Sequence, residues 1–381
     1  MKIVESLAKG EGAASFHQGL AAQIGALHEE IRVEPELAPL GRIAVALYDP
    51  RTDLLKTFIH SSDGESPLDH ATAPLSGLPS LVELARVHGT RTLNDLSEVA
   101  RSGHEYAARL VSFGYYSSHT VPICGREGLR GFLFLNGIVP GFFTQRVLRR
   151  LKPYGDLIAQ MVLRELDALH SMQSTVKVLL QISAVRDGET GGHLARMARY
   201  SRAIGLRLAA PLGFSDEFVE YLFQFAPVHD VGKISVPDHI LLKPGPLTPD
   251  EFKVMQGHVE RGVEIVDLAV GDFGFISTAH LRMLRQIVAC HHEKLDGSGY
   301  PQGLKGADVP LEARIVAVAD VFDALTSRRP YKAAWSNADA MDALRHDVAE
   351  NRLDGACVEA LAECMSEIVD IQVLFGETVV G

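Results

Sequence analysis

Histidines and carboxylates occur together in the second half of the chain, in spacings that suit metal binding. Glu189 and His193 are four residues apart, so on a helix they would share one face. Further along the chain follow the pair His229-Asp230, then His258, the run His291-His292-Glu293, and Asp320. Adjacent side chains point roughly 100° apart on a helix, so a single ion cannot easily use both members of a pair. Two or more ions close together can use both, with a carboxylate between them.

Each of these pieces has an ordinary explanation when it is taken alone. A His-Asp pair is commonly a surface or capping feature, and a single helical histidine such as His258 commonly has no special function. Asp320 differs, because it lies inside the apolar run of residues 315–325. A carboxylate at the centre of a buried helix is costly unless it is paired or bound to a metal. Asp320 therefore favours a functional site, and ligands of imidazole and carboxylate without thiolate suit iron or manganese better than structural zinc.

Four longer motifs surround these residues in order along the chain. They are HDVGKI at 229–234, PDHILLKPG at 237–245, HHEKLDGSGYPQGLKG at 291–306 and ARIVAVADVFDALTSRRPYK at 313–332. Together they resemble the HD-GYP family of cyclic dinucleotide phosphodiesterases, a branch of the HD-domain metal phosphohydrolases. The resemblance begins near Ser174 and continues into the 370s, over half of the chain.

The resemblance implies a role for each residue that matches a family motif. The metal ligands that it implies are His193, His229, Asp230, His258, His291, His292 and Asp320. Asp230 would be the bridging carboxylate, and Glu189 matches a position that supplies an extra ligand for a third metal in some members. Two or three divalent ions, iron or manganese, are therefore expected. Lys233 matches a lysine near the bridging hydroxide and the scissile phosphate, so Lys233 and Asp230 are the expected catalytic residues.

The resemblance also implies the residues that would hold the substrate. These are Tyr300 and Pro301 of the GYP motif, and Arg329 and Lys332, which match residues that hold a guanine base. Arg314 would add a cation near the anionic substrate, although an ordinary surface charge is the alternative for it and for Lys305. The GYP tripeptide also has the composition of an ordinary turn. Pro227 departs from the family pattern, which has an apolar residue other than proline two positions before the His-Asp pair.

The activity implied is the hydrolysis of cyclic di-GMP to linear pGpG, with GMP left open as a further product. A phosphodiester resists attack because its negative charge repels a nucleophile, and two metals remove that obstacle while lowering the pKa of a shared water. Lys233 can add a positive charge to the transition state. Two alternatives stay open: another cyclic or linear dinucleotide such as cyclic GMP-AMP, and a non-catalytic nucleotide-binding signalling module. The complete ligand set favours catalysis.

Composition excludes several other classes of protein. The 381 residues include 48 acidic and 37 basic side chains, for a formal net charge of −11, which is wrong for a general DNA or anionic-membrane binder. The four scattered cysteines lack CxxC spacing and predict free thiols in a reducing compartment. The longest uncharged apolar stretch, residues 131–145, is shorter than the ~20 residues that span a bilayer. Since the N-terminus also lacks a signal-peptide pattern, we expect a cytoplasmic protein.

The region of residues 1–150 predicts an α+β domain around an antiparallel sheet. We expect helices over 13–31 and 78–87, a hairpin of strands 42–48 and 54–60, and a second pair of strands over 119–123 and 129–135. The strand pairs and the segment 89–96 resemble a GAF-type sensor domain. That resemblance implies an unknown small ligand and leaves room for signalling protein partners.

Residues 151–186 predict a long helix that connects the two halves. Its apolar stripe has one shift of phase: Leu151, Tyr154, Ile158, Met161, then Leu166, Leu169, Met172, Val176 and Leu179. We expect this stripe to pair with a second chain in a parallel homodimer that passes a signal from the sensor domain; packing on its own domains is the alternative. Helical patterns dominate beyond it, so the catalytic domain, residues 174–381, should be an all-α HD-type bundle.

Overall fold

The computed structural model has an α+β N-terminal domain, a long connecting helix and a helical C-terminal domain, as the sequence predicts. It describes residues 19–63, 66–187, 191–273, 278–327 and 334–376, without the side chains of residues 172–187, 191, 269–273, 278 and 279.

The N-terminal domain is built on one six-stranded antiparallel sheet. In chain order its elements are helix α1 (Leu20–Arg32), strands β1 (Leu40–Asp49), β2 (Leu54–Ser62) and β3 (Thr72–Pro74), helix α2 (Pro79–Val87), strand β4 (Arg91–Leu93), helices α3 (Leu96–Arg101) and α4 (Glu105–Ser112), and strands β5 (Ser117–Gly125) and β6 (Gly128–Gly137). The strand order is β3-β2-β1-β6-β5-β4. Both predicted hairpins are confirmed, with Asp49 opposite Leu54 in one and Gly125 opposite Gly128 in the other.

Both faces of this sheet are apolar because helices cover each of them. Successive strand residues point to opposite faces. Ile43 and Val45 of β1 belong to the main core with α1 and the connecting helix, whereas Ala44 and Ala46 pack with α2. Helices α3 and α4, and strands β3 and β4, were not predicted. The start of α3 did carry a signal, because the Asp95 carboxylate caps it by accepting from two backbone amides at 2.9 and 3.2 Å.

The described part of the second half of the chain consists of helices joined by turns and loops, without strands. Its helices are α5 (Gln145–Asp187), α6 (Gly191–Leu212), α7 (Asp216–Phe225), α8 (Asp238–Leu241), α9 (Pro249–Gln256), α10 (His258–Phe273), α11 (Thr278–Cys290), α12 (Leu311–Thr326), α13 (Asn337–Ala349), α14 (Gly355–Glu363) and α15 (Met365–Leu374). Short 3₁₀ turns at Ala226–Val228 and Val231–Ser235 join α7 to α8. The predicted all-α fold is confirmed. Among the described helices, none combines the length and apolarity that a bilayer span requires.

The apolar stripe of α5 is buried within its own chain over the first half of the helix. Leu151, Ile158 and Leu169 are 2%, 0% and 2% exposed, and they share one core with the sheet and with helices of the second half. The expectation that a monomer would expose this stripe is therefore wrong for its first half, because both domains pack against it. The side chains of Met172, Val176 and Leu179 lie outside the described part, so the homodimer stays a prediction that depends on them.

Candidate metal centre

The seven metal ligands that the family resemblance implies lie in two adjacent groups. His193, His229 and Asp320 form the first group, and Asp230, His258, His291 and His292 form the second. Within each group the ligand atoms lie within 4.8 Å of one another. Glu189, the further ligand expected for a third metal, lies outside the described residues.

Several separate elements carry these side chains. His193 lies on α6 and Asp320 on α12, whereas His229 and Asp230 lie between the two 3₁₀ turns. His258 begins α10, and the two remaining histidines follow the end of α11. Gly232 allows the close packing that this arrangement needs, since an added Cβ would lie 1.8 Å from the backbone oxygen of His258. Only glycine lets the turn that carries Lys233 lie against the start of α10.

Asp230 lies between the two groups. Its Oδ1 atom is 3.2 Å from Nε2 of His258 and 3.5 Å from Nε2 of His291, both in the second group. Its Oδ2 atom is 3.2 Å from Nε2 of His229, in the first group, and 2.7 Å from Nζ of Lys233. The two oxygens of one carboxylate thus face different groups, which is the placement that a bridging ligand needs.

Four of the histidines are held through their Nδ1 atoms. The acceptors are the carbonyl oxygen of Ala226 for His229 at 2.8 Å, that of Met255 for His258 at 2.8 Å, that of Val288 for His291 at 3.1 Å, and the carboxylate of Asp323 for His193 at 2.7 Å. Since these oxygens only accept, each Nδ1 carries a proton and each ring turns its Nε2 towards the centre. This arrangement is typical of histidines that bind a metal through Nε2.

The atoms that face the centre make no hydrogen bond of good geometry, although Nε2 of His229 and Nε2 of His258 each lie 3.2 Å from an oxygen of Asp230. They are Nε2 of His193, His229, His258 and His291, together with Oδ1 of Asp230, and all are buried. A buried polar atom without a partner costs about 1–3 kcal/mol, so five at one place indicate that these residues bind a ligand. Imidazole nitrogens and a carboxylate oxygen suit a divalent transition metal. The residues therefore fit the metal ions that the motifs imply.

Nearby charges set the protonation states at the centre. Burial opposes ionisation of Asp230, but Lys233 and His229 lower the pKa of that carboxyl well below its usual range. Burial also opposes protonation of His229, yet the charge of Asp230 raises the pKa of that ring to about 9. Burial and the neighbouring His291 lower the pKa of His292 to about 2, so His292 is a neutral donor.

Asp323 is a functional residue to which the sequence analysis assigned no role. Its side chain accepts from Nδ1 of His193 at 2.7 Å and from Arg196 at 2.5 and 2.9 Å, and the residue is 1% exposed. Asp323 therefore orients His193, and Arg196 in turn orients Asp323. The signal was present in the spacing, because Asp323 comes one helical turn after Asp320 and so shares its face of α12.

Residues 177–357 match the family model of the HD domain. This part of the chain is an HD domain. Response regulator RpfG, a cyclic di-GMP phosphodiesterase of Xanthomonas campestris pv. campestris, is 46% identical over 199 residues, which are 52% of this chain and 50% of that protein. 3'3'-cGAMP-specific phosphodiesterase 2 of Vibrio cholerae serotype O1 is 37% identical over 206 residues, or 54% of this chain and 37% of that protein. The chain spans about half the length, or less, of the curated relatives it matches.

Among solved structures, the GAF domain of a two-component sensor histidine kinase from Bacillus halodurans aligns with 36% of this chain and 88% of its own. The identity is 17% and the TM-score is 0.30. The assignment of an antiparallel α+β fold to the N-terminal domain rests on the sheet itself. The HD domain and this sheet domain together confirm the predicted fold class.

The GYP loop of the HD domain lies beside the second ligand group. The ring of Tyr300 is 4.7 Å from the ring of His292 between centroids. Gly299 permits this approach, because an added Cβ would lie 2.5 Å from the backbone oxygen of His292. Glu293 holds the rest of the loop by accepting from the amides of Gln302 and Leu304 at 2.7 and 2.9 Å. Pro301 is exposed on the loop.

Of the other residues expected to bind substrate, one makes structural contacts and two lie outside the described residues. Arg314 donates to the carbonyl of Val309 at 2.8 Å and to the carboxylate of Asp354 at 2.7 Å. These contacts favour a structural role, in which Arg314 ties α12 to the start of α14. Arg329 and Lys332 lie outside the described residues. Pro227 lies in the 3₁₀ turn before His229, so this departure from the family pattern removes no ligand from the HD domain.

Proposed function

We propose that this chain is a metal-dependent phosphodiesterase that hydrolyses cyclic di-GMP to linear pGpG. The observation that carries the proposal is the position of Asp230 between two groups of ligands, in which Nε2 of four histidines is buried without a hydrogen bond of good geometry. The phosphodiesterase RpfG, which is 46% identical to this chain over the shared region and acts on cyclic di-GMP, supports cyclic di-GMP as the substrate. Further cleavage to GMP is part of the same hypothesis.

Most residues of the centre would hold metal ions, and Lys233 would stabilise negative charge. His193, His229 and Asp320 would hold one ion, and the second group the other, with Asp230 shared between them. When bound, such ions supply a hydroxide nucleophile near neutral pH and neutralise the phosphate. Iron or manganese suits this donor set, and Glu189 is the proposed ligand of a third ion.

Lys233 provides a fixed positive charge next to the bridging carboxylate. Its Nζ is 2.7 Å from Oδ2 of Asp230, and its side chain is 19% exposed, so it lies at the edge of the buried centre. A cation in that position stabilises the negative charge that develops on a phosphate during attack. A protonated lysine does not bind a metal, so we assign it to charge stabilisation.

Substrate binding is proposed at the GYP side of the centre. Tyr300 lies against His292 and would border the phosphate site, with Pro301 beside it. Arg329 and Lys332 are the proposed contacts to a guanine base. Local cations of this kind are needed because the chain carries a net charge of −11 while its substrate is an anion.

Cyclic GMP-AMP is a second candidate substrate. The observation that favours it is the 37% identity to a relative named for specificity towards 3'3'-cGAMP. The two cyclic dinucleotides differ in one base, so the residues that contact the base decide between them. The phosphodiester chemistry at the metal centre would be the same for both.

We further propose that the N-terminal domain regulates the enzyme through α5, as a homodimer in the cytoplasm. The buried stripe of α5 packs against both domains, and the chain reaches His193 soon after this helix ends. A change in the N-terminal domain, such as binding of a small ligand or a signalling partner, could therefore be passed to the first ligand group.

The function is tested by metal content and turnover in the parent protein and in Asp230→Ala. Anaerobically purified protein should contain at least two iron or manganese ions per chain and should hydrolyse cyclic di-GMP, with 3'3'-cGAMP and pGpG assayed in parallel. Asp230→Ala should lose metal and turnover together, because one carboxylate serves both groups. The exposed Asp342→Asn variant is the matched control and should change neither. Full metal content with normal turnover in Asp230→Ala would contradict the assignment.

A further inference from the structure

A cavity of about 550 Å³ lies between the N-terminal domain and the HD domain. The hairpin that joins β1 to β2 and the turn that joins β5 to β6 line one side, while α5, α6 and α7 line the other. Pockets that enclose small organic ligands have volumes of roughly 300–1,000 Å³. None of the described metal ligands lines this cavity, so it is separate from the metal centre.

Two buried cations, Lys56 and Arg199, line the cavity. They are 5% and 8% exposed, and both face the same oxygen of Asp49, at 3.5 and 3.4 Å. These distances exceed the 2.7–2.9 Å or so of a strong charge-assisted hydrogen bond. Nε of Arg199 is buried without a hydrogen-bond partner. Arg199 also donates to the carbonyl oxygen of Ala195 at 3.1 Å and lies 3.9 Å from the centroid of the Phe375 ring. Asp49 is thus one carboxylate shared by two buried cations, at distances longer than a strong ion pair.

The remaining charges around the cavity do not remove this excess. Glu127 is paired with Arg130 at 3.1 Å. The charge of Glu220 acts on both Lys56 and the buried Arg202, so it does not neutralise Lys56 alone. Arg51 is a further cation of the lining. The lining therefore has four cations, Arg51, Lys56, Arg130 and Arg199, against the three carboxylates of Asp49, Glu127 and Glu220. An anionic group would be the complementary occupant.

Much of the rest of the lining is apolar, apart from Tyr48, His170 and Gln224. Leu47 and Leu129 contribute from the sheet domain, and Leu166 and Leu194 contribute from α5 and α6. The face of the Phe223 ring is already covered by Lys56, whose Nζ is 4.7 Å from the ring centroid. A ligand that satisfies both parts of the lining has one anionic group and an apolar body.

We propose that this cavity binds a small organic anion with an apolar body and that its occupation is coupled to the metal centre. The coupling follows from the chain segments in the lining. Leu194 and Ala195 directly follow His193 on α6, and Pro227 and Val228 directly precede His229. Both histidines belong to the first ligand group. A ligand that moves either segment shifts a ligand of that group, and the coupling must act equally in both directions.

Binding is tested with anilinonaphthalene sulfonate, an aromatic anion that fluoresces when it is buried. The full chain should bind it at one site, and octanoate should displace it at concentrations at least tenfold lower than the neutral octanamide. Lys56→Met keeps the length of the side chain but removes its charge, so it should weaken binding of the probe and of octanoate at least tenfold. Lys152→Met, at a surface lysine that is 72% exposed on α5, is the matched control and should leave binding unchanged.

A second variant tests the cavity without touching its charges. Leu129→Trp adds bulk from the sheet domain, far along the chain from the metal ligands, and should reduce probe binding by a similar factor. Circular dichroism and thermal unfolding verify that each variant is folded. Equal probe affinity in the parent and in both cavity variants would overturn the site, and so would equal displacement by octanoate and octanamide.

The coupling is tested by titrating Mn²⁺ into metal-free protein with and without saturating probe. The affinity for Mn²⁺ should change by the same factor as the probe affinity changes on adding Mn²⁺. An Mn²⁺ affinity that is independent of the probe would overturn the coupling. Neither measurement uses turnover, so a failure here is distinguishable from a failure of the proposed phosphodiesterase activity.

Discussion

Nδ1 of His193 donates a hydrogen bond of 2.7 Å to the carboxylate of Asp323, which joins residues that are 130 positions apart in sequence. Arg196 binds the same carboxylate through two nitrogens, at 2.5 and 2.9 Å. The three side chains form a buried hydrogen-bonded chain that runs from the interior of the HD domain to the first ligand group. Its end point, Nε2 of His193, is buried and has no hydrogen-bond partner.

Asp323→Asn should weaken metal binding in the first group. The amide keeps the shape of the side chain but loses the charge that orients His193, and loss of such a partner typically costs 10–100-fold in metal affinity. It also leaves Arg196 buried without its counter-ion, which should destabilise the fold by about 3–5 kcal/mol. Mn²⁺ titration and urea unfolding measure the two effects. Unchanged metal affinity would show that Asp323 only stabilises the fold.

Lys233→Ala should separate metal binding from catalysis. The variant should keep its metal ions, because Lys233 contacts Asp230 and is not itself a ligand. Its turnover of cyclic di-GMP should fall by about 10²-fold or more, as when an enzyme loses one preorganised group that stabilises transition-state charge. Lys253→Ala, at an exposed position of α9, is the control. Loss of metal from Lys233→Ala would mean that the lysine maintains the centre.

Charged substitutions in the second half of the α5 stripe test the proposed homodimer. Met172→Glu and Val176→Glu should convert a dimer into monomers, because each places a charge in the expected helix pair. Leu157→Glu is the matched control, since Leu157 is 48% exposed on the same helix and lies outside the stripe. Light scattering measures the mass. A parent protein that is monomeric at micromolar concentration, or variants that both stay dimeric, would rule out the dimer helix.

Glu217 predicts a pH-dependent contribution to stability. Burial raises the pKa of this carboxyl from 4.5 to about 7, so the folded protein holds a proton there that the unfolded chain releases. This contribution is complete below the unfolded pKa and is lost as the pH rises through 7. The Glu217→Gln variant cannot ionise at this position, so it does not lose this stability as the pH rises. Between pH 5 and pH 8 its free energy of unfolding should therefore rise relative to the parent, by about 2–3 kcal/mol.

The contribution of His280 to stability depends on pH in the opposite direction, so the Glu217→Gln variant must be compared with the parent at each pH. Burial lowers the pKa of its ring to about 4, so its contribution is lost as the pH falls from 6.5 to 4. Nε2 of His280 lies 3.6 Å from Oε1 of Glu217, so the two groups titrate as a pair. Urea unfolding at several pH values, with the exposed Glu260→Gln variant as control, therefore measures the pair. A pH profile of Glu217→Gln that parallels the parent would mean that Glu217 is ionised in the folded protein.

The family resemblance of the motifs predicted the metal ligands, and local sequence patterns predicted the two hairpins and many of the longer helices. The His-Asp pair and Asp320 in its apolar run can each be recognised from a few neighbouring residues of the sequence. A turn such as residues 49–53 likewise determines its hairpin locally, and β1 pairs with β2 on either side of it. Helices α3 and α4 were missed because they are only six and eight residues long, too short for a clear helical period.

The tertiary structure decided what each of these side chains contacts. A sequence cannot show that Asp323 binds His193 or that Arg314 binds Asp354, because both pairs form only when distant helices pack together. The same holds for the α5 stripe, whose first half is buried by domains on both sides rather than by a second chain. The division of the ligands into two groups around Asp230 is also decided by the fold. The sequence gives the type of each side chain, but the distance between two side chains depends on how all the elements between them pack.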